Sequence, residues 1–174
     1  MWGPGAPRRL LALVSCMTGP GRLTVASAWT AELYEDSKGA SPIEKWMDSL
    51  GAPEFAALNA AITHVLEPRG LTLVGTEWMK TLRGGLYELR IRHTAKEIIQ
   101  SFGAEGIDVP SHPPSKILLR VFVNFHGAKV ILLLAGYDKG KDPSEKLQQK
   151  EIANARKLLT AWKLEQAKVK KKHR

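Results

Sequence analysis

The first sustained hydrophobic pattern begins after Ala28, where Trp29 to Tyr34 alternates with the two-residue period of a strand. Ser41-Pro42-Ile43-Glu44 then reads as a capping box with proline at the first helical position, predicting a helix to about Leu50. Gly51 breaks it, and Pro53 opens a second helix to about Glu67, with Phe55, Leu58, Ile62, Val65 and Leu66 on one side. Pro68 and Gly70 end that helix. The pair predicts a helical hairpin, each helix carrying one apolar face.

Downstream the period shortens to two. Trp78 to Leu82 reads as a strand, Gly84-Gly85 as a tight turn, and Leu86 to Arg92 as a strand of regular alternation. Tyr87, Leu89 and Ile91 point one way and Glu88, Arg90 and Arg92 the other. With the apolar side packed on helices, the charged side is left wet. Residues 94–116, rich in glycine and proline, read as an inserted loop. Ile117 to Phe125 is the next strand, His126-Gly127 the turn, and Lys129 to Tyr137 the last strand. Val130 to Leu134 is apolar on both faces, as at a sheet centre covered by helices on at least one side. A charged loop from Asp138 to Pro143 leads into a final helix from Ser144 to about Lys163.

These elements give an α+β fold, a small antiparallel sheet packed by an N-terminal helical hairpin, with a C-terminal helix. Residues 1–27 show no sustained period and read as a disordered extension. The apolar stretch between Arg9 and Cys16 is too short for a secretory signal, whose apolar region needs roughly 7–15 residues, and Met17 is a candidate start. The domain is then 28–163, followed by a basic tail at 164–174.

Composition narrows the function. The longest apolar run is the six residues from Val130 to Ala135, against roughly 18 for a bilayer span. One cysteine, Cys16, excludes an intramolecular disulfide and suits a reducing compartment. No Cys/His cluster has zinc-ligand spacing, and no glycine-rich loop has nucleotide-binding spacing. The net charge of +9 points to a polyanionic partner. It is concentrated twice: six basic side chains against Glu165 in residues 163–174, and five against Glu88 in residues 80–96. The first group reads as a solvated, mobile tail.

The second group carries the candidate chemistry. Arg90 and Arg92, two residues apart on one strand face, are separated by roughly 7 Å, close to the phosphate repeat of a nucleic-acid strand. Arg120 on the following strand joins that face if the two strands pair. Lys80 and Arg83 before it, with Lys139 and Lys141 after the last strand, are expected to converge at one end of the sheet.

The run Trp78-Met79-Lys80-Thr81-Leu82-Arg83-Gly84-Gly85-Leu86-Tyr87-Glu88-Leu89-Arg90 contains K-x-L-x-x-G-L-Y-E-L-R. Together with Arg120 and the closing Ala135-Gly136-Tyr137-Asp138-Lys139, it resembles the RelE/HigB superfamily of bacterial toxins, in its HigB-like, phage-derived branch. The resemblance covers about residues 28–163, with 94–116 longer than the usual connection. It implies the toxin of a type II toxin–antitoxin pair: a cytoplasmic, ribosome-dependent mRNA endonuclease that inhibits translation. It further implies cleavage without a cofactor or metal, by attack of the 2′-hydroxyl on the adjacent phosphate. The implied partners are the ribosome with its mRNA and a cognate antitoxin of the helix-turn-helix type, which alone contacts DNA; no membrane is involved. Arg90 and Arg92 would hold the scissile phosphate and stabilise its developing charge. Lys80, Arg83, Arg120 and Lys141 would support them or hold flanking phosphates. Glu88, Tyr137, Lys139 and Lys141 are the candidates for proton transfer, with base stacking the other role open to Tyr137. His93, at the end of the arginine strand, is the nearest histidine. Two other readings stand beside this one: a ParE-like DNA gyrase inhibitor, which needs no phosphate-gripping strand, and a non-catalytic RNA-binding remnant.

Overall fold

Ser41 Oγ accepts the Glu44 amide at 3.3 Å and Pro42 occupies the first turn, so helix α1 (Pro42–Asp48) begins where its cap lies in the sequence. After a short break at Gly51, α2 (Ala52–Ala61) continues through a π-helical turn, Ile62–Leu66, into the single turn α3 (Glu67–Arg69). Pro68 is therefore carried inside the helical run instead of ending it. Proline lacks an N–H and crowds the carbonyl four residues back, and the wider π-turn immediately upstream accommodates that mismatch. Gly70, at φ +50°, is what stops the helix, and a 3₁₀ turn (Gly70–Leu73) follows.

The computed structural model describes residues 8–9, 29–103, 106–107 and 116–172. Six strands form one sheet: β1 (Arg8–Arg9), β2 (Thr30–Leu33), β3 (Met79–Thr81), β4 (Tyr87–Ile91), β5 (Leu119–His126) and β6 (Val130–Asp138). Their order is β1-β2-β6-β5-β4-β3. The fold is α+β as the sequence indicates. The sheet is mixed, because β2 pairs parallel to β6 while every other neighbour is antiparallel. Parallel neighbours require a long crossover, and everything from α1 to β5 intervenes here.

Each sheet face has its own apolar cluster. On one side Ala31, Leu89, Ile91 and Val121 pack with Ile43, Leu58 and Val65 of the hairpin. On the other, Leu86, Phe122, Leu132 and Leu134 meet Ala155 and Leu159 of the last helix, α5 (Glu145–Lys172). The β6 core is thus covered on both faces, which explains its continuous apolar run.

Three expectations change. The 94–116 insertion begins with a helix, α4 (Ala95–Phe102), closed by a reciprocal capping box between Thr94 and Glu97 and packed on α2. That S/T-x-x-E signature was legible beside the glycines and prolines. Residues 104–105 and 108–115 of the insertion lie outside the described residues. The C-terminal helix runs on to Lys172, so 164–172 is helical and not a mobile tail. Of the N-terminal extension only Arg8–Arg9 is described, paired with β2; the start at Met17 and Cys16 fall outside the described residues. Among the described residues no helix is long and apolar enough to cross a membrane.

Candidate active site

The site is built on one rung of the sheet. Arg90 of β4 pairs with Arg120 of β5, and Arg120 with Tyr137 of β6. Tyr137 joins this face only because of an irregularity. Phe122 pairs with Ala135 but Val123 pairs with Leu133, leaving Leu134 as an extra residue on β6. A bulge shifts the alternation by one. Leu134, Ala135 and Tyr137 therefore all belong to the α5-side cluster, while Gly136 faces Trp46 of α1 so closely that a Cβ there would fall inside the indole.

Glu88 lies at the centre and is fully buried. Its Oε1 is 3.3 Å from Arg120 Nε and accepts from Gln148 Nε2 of α5 at 3.3 Å. Its Oε2 is 3.6 Å from Arg90 NH2. Arg120, also buried, donates NH1 to the Leu119 carbonyl at 2.8 Å. Burial pushes the Arg120 guanidinium down and the Glu88 carboxylate opposes that shift. Two guanidinium groups against one carboxylate leave the cluster cationic. Arg90 Nε and Tyr137 Oη are buried yet unused by any protein hydrogen bond.

Burial, followed by the Glu88 charge, pushes the Tyr137 phenol up to about 12. At neutral pH it is a proton donor and not a base. Its folded-state value lies above the ordinary 10.0, so the folded protein holds this proton more tightly than the unfolded chain. That contribution is complete below pH 10 and is lost as pH rises from 10 to about 12. The expected loss is about 3 kcal/mol. It should be seen as a fall in the urea midpoint across that window that is smaller in Tyr137→Phe, which keeps the raised phenol of Tyr34.

The expected wet face is covered. α5 lies over Glu88, Arg120 and Tyr137, leaving Arg90 half-buried at the margin. A two-residue period shows that faces alternate, not which of them faces water. Arg92, just beyond β4, is exposed and close enough to act electrostatically on Arg120. Lys139, half-buried beyond β6, donates its amide to the Leu118 carbonyl at 2.8 Å. Arg92 and Lys139 thus mark the rim at the end of the sheet where β4 and β6 finish. Lys141 is there too, exposed, 3.9 Å from Asp138.

The predicted convergence of all the basic residues is corrected. Lys80 is exposed on the edge strand opposite Glu88 and stays near the cluster. Arg83 sits in the β3–β4 hairpin turn at φ +65°, at the opposite end of the sheet from Lys139 and Lys141. Antiparallel pairing dictates this, since the turn into β4 and the end of β6 are separated by the length of the strands. His93 is half-buried, its ring 5.4 Å from that of Trp78, which itself packs edge-on against Phe102. Tyr87 packs edge-to-face on Phe125 at 5.2 Å, in the core as its alternation implies.

Sequence reasoning overlooked Gln148. It stands four, seven and eleven residues before Ile152, Ala155 and Leu159, a polar residue on the buried stripe of α5, which was its available signal. Glu151 was also passed over. It raises the Tyr137 value further and, with Tyr137, Trp46, Leu50, Asp138 and Lys141, lines an open cleft of about 330 Å³. Comparisons with protein-family models, with curated proteins and with solved structures return no match for this chain.

Proposed function

We propose that this protein is the toxin of a type II toxin–antitoxin pair, a ribosome-dependent mRNA endonuclease of the RelE/HigB kind acting in the cytoplasm. The observation that carries the reading is the Arg90–Arg120–Tyr137 rung around buried Glu88, with Arg92 exposed at its rim. In this reading Arg92 and the exposed margin of Arg90 receive the scissile phosphate. Glu88 holds Arg90 and Arg120 in place and is a positioning residue, because both its oxygens face guanidinium groups. The 2′-hydroxyl gives its proton to solvent as its oxygen attacks phosphorus, the bond to the 5′-oxygen breaks as that oxygen takes up a proton, and a 2′,3′-cyclic phosphate remains. Tyr137 backs the adjoining cleft with its hydroxyl buried, so in this reading the proton for the leaving oxygen comes from Lys141, exposed on the same cleft. Lys139 flanks that position. A separately encoded antitoxin would neutralise the toxin.

The test is induced expression without antitoxin, with 5′ ends mapped on translated messages beside an Arg92→Ala variant. Arg92 is exposed, so its removal should leave the fold intact. In-frame cuts that fall about 100-fold in the variant are expected. Growth arrest with intact messages would replace this reading with gyrase inhibition. Burial of Glu88, Arg120 and Tyr137 beneath α5 favours a second reading, an RNA-binding module without cleavage. It predicts folded protein that binds RNA and leaves every message uncut.

A further inference from the structure

α5 accounts for most of the net charge of the chain, with nine basic residues against three acidic ones between Glu145 and Lys172. The two signs are segregated. Glu151 lines the Tyr137 cleft and Glu165 acts on the phenol of Tyr34, so both face the sheet side. Glu145 stands in the first turn. The basic residues Lys146, Lys150, Lys157, Lys168 and Lys171 are exposed and follow one another at spacings of four, seven, eleven and three. Such spacings keep them on one side of a helix, opposite the stripe buried against β5 and β6. Lys150 and Lys157 are separated by about 10 Å along the axis, and the whole helix is about 42 Å long.

None of these lysines has an ion-pair partner among the described residues. An unrelieved row of like charges on a helix is unfavourable for folding. The row is also held rigidly. Arg156 donates to the carbonyls of Leu82 and Arg83, and Lys163 Nζ donates to the carbonyl of Gly84 at 3.2 Å. These contacts fix the middle of α5 to the β3–β4 turn and bring the exposed Arg83 beside it.

We infer that the outer face of α5 is a docking surface for the phosphate backbone of structured RNA, separate from the Glu88 cluster on the inner side of the same helix. A preorganised cationic row of this length meets successive phosphates without reading sequence. A membrane surface fits less well, because insertion needs a broad apolar face, and the only large exposed apolar side chains on α5 are Leu164 and Val169. The choice of RNA as the nucleic acid rests on the function proposed above; the phosphate contact itself does not.

The test uses the full chain and a 20-base-pair RNA duplex, with affinity followed by fluorescence anisotropy across a salt series. The combined variant Lys150→Ala, Lys157→Ala, Lys168→Ala and Lys171→Ala places a strong helix former at exposed sites, so its circular dichroism should match the parent. Binding is expected to weaken at least about 30-fold at 0.1 M salt, and the salt slope to fall by about 3. Lys96→Ala, which removes one exposed cation from α4 on the hairpin side of the sheet, should bind the duplex within about threefold of the parent. Absence of message cleavage by the parent, with duplex binding retained, would remove the nuclease reading and leave this surface standing. Unchanged binding by the fourfold variant, or capture of anionic vesicles in preference to the duplex, would overturn it.

Discussion

Replacing Glu88 with alanine is expected to lower the unfolding free energy by about 3–5 kcal/mol, an effect far larger than that of removing any exposed arginine. The carboxylate is wholly buried, 3.3 Å from Arg120 Nε and 3.6 Å from Arg90 NH2. Without it, Arg120 stays buried beneath α5 with no counter-charge, and Gln148 loses its acceptor. The cost comes from the desolvated cation left behind, more than from the pair's own attraction. Arg92→Ala, which strands no buried partner, should change stability by less than about 0.5 kcal/mol. Urea unfolding of the three proteins would check this, and equal midpoints for Glu88→Ala and the parent would show that the cluster is solvated. The same comparison separates roles: a positioning residue lost with its fold is distinguishable from Arg92, whose removal should spare the fold and touch only the phosphate.

Gly70→Ala is expected to cost about 4 kcal/mol, for two reasons that act together. Gly70 has φ +50° and ψ −122°, a backbone region that L side chains rarely adopt. Its missing side chain also makes room for Trp29, since a Cβ at this position would fall inside the indole. Trp29 in turn stacks edge-to-face on Phe125 at 5.1 Å, and its amide donates to the Glu67 carbonyl. A methyl group here therefore pushes the end of the helical hairpin away from the entrance to β2. Denaturant unfolding followed by tryptophan fluorescence should show a lowered midpoint and a changed native baseline. An unchanged midpoint would mean that Trp29 is free to move aside.

How far the chain could be read without its structure depended on the range of each signal. Ser41-Pro42 located α1, Gly84-Gly85 located the β3–β4 turn, and the alternation of residues 86–92 identified β4 and sorted its two faces. Each of these rests on residues within a few positions of one another, so the sequence carries them complete. The capping box at Thr94 was equally local, but the nearby glycines and prolines outweighed it. Pro68 misled for the opposite reason: proline disfavours a helix, and a π-turn relieved the conflict.

The candidate site divides along the same line. Its members Glu88, Arg90, Arg120 and Tyr137 were all legible as residues, and the pairing of Arg90 with Arg120 followed from adjacent strands. Their joint environment was not legible. Tyr137 shares their face because Leu134 bulges, an event that depends on how β5 and β6 pair. Glu88 is buried because α5 returns from sixty residues away to place Gln148 against it. Arg83 and Lys139 lie at opposite ends because antiparallel strands hold them apart. By itself the sequence determined most of the strands and helices, and which side chains share a face within a regular strand, through periodicity and caps. Only the tertiary structure decided which face meets water and which charges meet each other, because burial and pairing are set by elements distant along the chain.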